Sequence, residues 1–161
     1  MPISVRLKFW LFEHYWWLLC CSVALTVIII LFVLREPLTT FVTVMGSLLS
    51  VAYFLQKQKL EEMRLFSELF KECNGRYDAM NEALASIANK GDVELSSEER
   101  LKVVDYLNLC GEEYLYFRRG YIEPSVWQAW NKGMKVIVAA PPIQRVWQEE
   151  KSSGSYYDLP L

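Results

Sequence analysis

The chain has 161 residues, 53% of them hydrophobic and 22% charged, with a net charge of −2. From Lys57 onward it holds fourteen Lys and Arg against seventeen Asp and Glu, and a balance on the acidic side excludes a nonspecific binder of double-stranded nucleic acid, whose surface is basic. Four cysteines at spacings that fit neither zinc nor a disulfide framework leave free thiols in a reducing compartment as the reading of Cys20, Cys21, Cys73 and Cys110.

The segment Tyr15–Leu34 contains no charged residue. Twenty residues of helix at about 1.5 Å each cover about 30 Å, the hydrocarbon thickness of a bilayer, which is too long for the core of a cleaved signal peptide. Arg35, Glu36 and Pro37 interrupt the run, and proline disfavours helix at the residue before it. A second uncharged segment, Leu38–Gln56, follows, so residues 1–56 read as a membrane domain built from an antiparallel hairpin of two spans, about 15–34 and 38–56. Thr43, Gly46, Ser47 and Ser50 form a stripe of small and hydroxyl residues on the second span, suited either to packing inside the hairpin or to a subunit interface around a pore. Arg6 and Lys8 precede the hairpin and Lys57, Lys59 and Arg64 follow it, which by the positive-inside rule puts both termini in the cytoplasm of a bacterial inner membrane. Trp10, Tyr15, Trp16, Trp17 and Tyr53 fit an aromatic belt at that interface, with the single histidine, His14, among them.

Residues 57–161 read as an all-α cytoplasmic domain. Lys57–Asn89 has apolar residues at steps of three and four from Leu60 to Ile87, which predicts a helix continuing the second span, with Gly75 as a place to bend. Lys90-Gly91-Asp92 stops it. Ser96 and Glu99 then make a capping box for a helix carrying Leu101, Val104, Leu107, Cys110, Tyr114 and Phe117 toward the core and ending at Gly120. Pro124 opens a third helix with Val126, Trp127, Trp130, Met134, Ile137 and Val138, Pro141-Pro142 close it, and a short helix at Ile143–Glu150 precedes a Ser- and Tyr-rich tail.

No phosphate loop, nucleophile elbow or metal-ligand cluster is present, so the chain is not expected to be an enzyme or to hold a cofactor or metal. Glu112 and Glu113 are adjacent and point about 100° apart, which suits solvation or pairing with an arginine better than joint catalysis. The chemistry that stands out is a set of cations among aromatics: Arg118, Arg119 and Tyr121, then Trp130, Asn131, Lys132 and Lys135. Such residues can neutralise phosphates, stack on bases and read an adenine edge, although the aromatics equally suit a helical core. Asn74, Arg76 and Asn81 form a second candidate set, in which Arg76 pairs most simply with Glu72 one turn back.

The stretch Leu69–Asn81, with Asn74-Gly75-Arg76-Tyr77-Asp78 at its centre, followed by Tyr106–Tyr114 and by Gly120-Tyr121-Ile122-Glu123-Pro124-Ser125-Val126-Trp127, resembles a group of small bacterial membrane proteins. With the two-span hairpin and the overall length, the chain is similar to the membrane effectors of type III CRISPR systems. That resemblance implies a homotetramer whose cytoplasmic domains bind a cyclic oligoadenylate, cyclic tetra-adenylate, and rearrange the membrane helices until the bilayer fails; it assigns no individual binding residue. The competing expectation is a membrane anchor that recruits a cytoplasmic protein through its aromatic groove.

Overall fold

The computed structural model describes residues 3–29, 38–91 and 93–161. It is all-α: five helices and no strand among the described residues, with α1 at Ile3–Ile28, α2 at Leu38–Ala88, α3 at Ser97–Arg118, α4 at Pro124–Val138 and α5 at Pro141–Lys151. The turn expected at Arg35-Glu36-Pro37 lies outside the described residues, as does Asp92. The chain forms two compact units, Met1–Arg64 and Leu65–Leu161.

In the first unit α1 begins at Ile3, well before the uncharged run. Two helices, Val5–Ile28 and Thr39–Ala88, are long and apolar enough to cross a membrane. They run antiparallel. Lys8 pairs with Glu62 at 2.7 Å, and Lys59 donates to the Phe12 carbonyl at 3.2 Å while lying over the Tyr15 ring. Further along, Leu11, Phe12, Leu18 and Leu19 of α1 and Leu48, Val51 and Leu55 of α2 line an apolar groove of about 310 Å³. The hydroxyl stripe is turned elsewhere. Thr43, Gly46, Ser47 and Ser50 are exposed, and each hydroxyl donates to the carbonyl four residues back at 2.9–3.0 Å. Packing inside the hairpin therefore uses larger residues, while the polar atoms of the stripe are satisfied within their own helix, as a lipid environment requires.

The second unit is a helical bundle. From Phe66 to Ile87 α2 lays its apolar ridge, including Leu69, Cys73, Leu84 and Ile87, against α3, α4 and α5. α2 is unbroken through Gly75. The α3 capping box forms as the sequence predicts: the Glu99 N–H donates to the Ser96 hydroxyl and the Ser96 N–H to the Glu99 carboxylate. At the other end Gly120 takes φ 78°, with its N–H on the Phe117 carbonyl and that of Tyr121 on Tyr116, a Schellman ending that favours glycine. The buried stripe of α3 is turned from expectation: Val103, Tyr106, Leu107 and Cys110 are buried, whereas Leu101 is exposed. α4 starts at Pro124 and α5 at Pro141, each proline occupying a first-turn position whose N–H would lack a helical acceptor.

Trp127 fills the space between α3 and α4, its ring 5.1 Å from Phe117 and 5.2 Å from Tyr114. The tail joins this core. Tyr156 and Leu159 are buried, and Tyr156 meets Trp147 edge-on at 5.5 Å. Gly111 lies beneath that ring, and a Cβ there would stand 3.4 Å from it, at the near limit of ordinary contact. On the surface Arg100 of α3 forks onto Glu149 and Glu150 of α5 at 2.5 and 3.0 Å.

Candidate functional site

Two residues of α2, Asn74 and Arg76, stand on opposite flanks of its buried ridge because positions two apart in a helix point about 200° from each other. Each opens onto a different groove. The first, about 520 Å³, lies between α2, α3 and the tail and is lined by Arg76, Met80, Asp105, Asn108, Glu112 and Tyr157 among others. Arg76 reaches across it to Glu112, with Nη1 to Oε2 at 2.5 Å and Nη2 to Oε1 at 3.4 Å. The expected pairing of Arg76 with Glu72 is thus replaced by a bond between helices, since the two-pronged geometry available from α3 exceeds what a flexible neighbour one turn away offers. This bond holds the guanidinium well above its ordinary pKa. With Asp105 and Glu112 against Arg76 the walls carry one more acid than cation, so an anionic ligand has to take Arg76 from Glu112.

The second groove, about 410 Å³, runs between α2, α3 and α4 and is lined by Asn74, Tyr77, Tyr106, Glu113, Trp130 and Gly133, with Leu109, Ala129, Met134, Val136 and Ile137. Trp130 stacks on Phe70 at 5.6 Å and 17°. Glu113, expected to be solvated or paired with an arginine, is instead buried at 7% exposure, and among the described residues no cation bonds to it. Burial pushes its carboxyl up to about 8, with Arg76 pulling down and Glu112 pushing up more weakly. Burial likewise raises Cys73, to about 12, and raises Cys110 and Tyr106, so both thiols are protonated and unreactive at neutral pH.

The remaining cations and aromatics singled out in the sequence do not converge on one pocket. Arg118 donates to the Tyr157 carbonyl at 3.0 Å and lies over the Tyr114 ring, which ties it to the tail beside the first groove. Lys135 lines a third, smaller groove with Gln144, Trp147 and Gln148. Trp130 joins Asn74 in the second groove, whereas Arg119, Tyr121, Lys132 and Asn81 are exposed, Asn81 accepting from the Tyr77 hydroxyl at 3.2 Å. Asn131 is half-buried, and its Oδ1 has no hydrogen-bond partner. Sequence reasoning missed Glu113 and Tyr106 as groove residues. The signal was present, because Tyr106, Cys110, Glu113 and Phe117 fall at helical core spacing and an acid in that register is out of place on a solvated face.

Among the described residues no three His, Cys, Asp or Glu side chains come together as metal ligands. The chain matches no protein-family model, no curated protein and no solved structure.

Proposed function

We propose that this chain is a non-enzymatic membrane effector: a two-span hairpin anchors it, its helical module binds a small anionic ligand, and binding moves the membrane helices so that the bilayer is breached. The observation that carries this reading is α2, one helix of 51 residues that supplies both the second apolar segment and the walls of two grooves through Asn74, Arg76 and Tyr77. A helix shared in that way needs no flexible linker to pass a change from ligand to membrane. Support for the hairpin comes from α1, whose stretch from Tyr15 to Ile28 carries no charge and whose side chains are largely not buried in the fold, as those of lipid-facing helices are. Lys8 reaches Glu62 of α2 and Lys59 reaches Phe12 of α1, so both basic clusters fall at one end of the pair, which the positive-inside rule makes the cytoplasmic face of the inner membrane. The exposed stripe of Thr43, Gly46, Ser47 and Ser50 suits contact between copies, and a homotetramer is the assembly that the resemblance to type III CRISPR membrane effectors suggests.

The same resemblance supplies the ligand class, a cyclic oligoadenylate, with Arg76 and Arg118 beside the first groove as the nearest cations. Titration of the full-length chain in detergent micelles with cyclic tetra-adenylate, its linear counterpart and unrelated cyclic dinucleotides tests this. Selective saturable binding of the cyclic tetramer is expected, and no binding of any of them removes the sensor reading.

A further inference from the structure

The second groove differs in kind from the first. Its only ionisable acid is Glu113, more than nine-tenths buried and without a hydrogen-bond or ion-pair partner among the described residues. Around it stand the rings of Tyr77, Tyr106 and Trp130, and α4 adds only uncharged side chains. Gly133 leaves the wall open, since a Cβ there meets nothing within 4 Å. A lone carboxyl among aromatic faces lacks one thing, a positive charge. Aromatic faces attract a desolvated cation, and a buried carboxylate pairs with it. The volume of about 410 Å³ falls in the range of small-molecule sites. We propose that this groove binds a small organic ammonium ion, its cationic head paired with the Glu113 carboxylate between the Tyr77, Tyr106 and Trp130 rings and its apolar body along α4.

This site is independent of the cyclic nucleotide reading. The empty groove holds Glu113 as the neutral acid up to about pH 8, so at pH 7 the incoming ammonium displaces the carboxyl proton to solvent, and affinity rises with pH. The charged and titratable groups facing Glu113 are Arg76, which favours its anion, with Glu112 opposing it, the thiols of Cys73 and Cys110 and the Tyr106 hydroxyl, all held neutral, and Tyr77, whose hydroxyl donates to Asn81; α4 adds none to the groove.

Calorimetric titration of the full-length chain in maltoside micelles with phenethylamine, which is protonated over this range, tests the site. Saturable binding at pH 8.5, at least tenfold weaker at pH 6, is expected, with the neutral analogue 2-phenylethanol binding at least tenfold more weakly. Glu113→Gln should lose at least tenfold in affinity with no fall in thermal midpoint. Gly133→Leu, which projects into open space, should block the site while the fold persists. Equal binding of the neutral analogue, or unchanged affinity in Glu113→Gln, overturns the proposal.

Discussion

Glu112 and Glu113 are neighbours in α3 with opposite environments: Glu112 is held by Arg76 across the interface with α2, while Glu113 is buried among aromatic residues with no cation bonded to it among the described residues. One turn of helix thus carries both a tie between elements and an uncompensated acid. The tie is worth little by itself, because both partners are more than a third exposed. The acid is the costlier of the two.

Glu113 makes stability depend on pH. Its carboxyl sits near 8 in the fold against an ordinary 4.5, so between those values the unfolded chain releases a proton that the folded chain keeps. Stability therefore falls as pH rises through that window and is level outside it. Glu113→Gln escapes the loss. Its stability should match the parent near pH 4 and exceed it at pH 8.5 by an upper bound of roughly 5 kcal/mol, read as coincident thermal midpoints at the lower pH and a raised one at the higher. Parallel midpoints at both pH values contradict the buried acid.

Arg76→Ala should lower stability by about 1 kcal/mol, the scale of a partly exposed pair, and should push the Glu113 carboxyl higher by removing the one cation that favours its charge. Denaturation at a series of pH values reads both effects. If the first groove takes the anionic ligand, Arg76→Ala and Arg118→Ala should each weaken cyclic tetra-adenylate binding, and Lys135→Ala, which lies in another groove, should not.

The capping box at Ser96 and Glu99 predicts that Ser96→Ala costs about 1 kcal/mol in the module, measured by denaturant titration, and leaves membrane insertion unchanged. A loss below a few tenths of that value implies that water replaces the hydroxyl.

Ser47 lies on the exposed stripe of the second span. An arginine there costs about 2.5 kcal/mol or more on insertion scales, so Ser47→Arg should reduce insertion or assembly, read by membrane fractionation and crosslinking. Full insertion and function in that variant would mean that the stripe faces water.

How much of this was legible in the sequence depends on how local the determinants are. The capping box, the proline opening α4, the glycine at Gly120 and the continuity of α2 are written within one or two turns, and each appears as the sequence predicts, whereas Pro141 and Pro142, expected only to close α4, form the first turn of α5. Arg76 illustrates the opposite case. Its partner is 36 residues away, so sequence neighbours suggested Glu72, and only the packing of α2 on α3 brings Glu112 into reach. The tail was equally opaque: Tyr156 and Leu159 sit in a polar, Ser-rich stretch, yet both are buried, Tyr156 against Trp147 of α5 and over Gly111 of α3. The cations and aromatics between Arg118 and Lys135 are close in sequence and separate in space because α3 and α4 turn them toward different grooves.

The proposed function requires α2 to carry a ligand signal from the helical module to the bilayer. Dye release from liposomes containing the full-length chain measures it, with and without five Gly and Ser residues inserted between Lys57 and Gln58. Release on adding cyclic tetra-adenylate, abolished by the insertion although ligand still binds, is the result predicted. Equal release from the interrupted helix, or none from the intact chain with ligand bound, contradicts it.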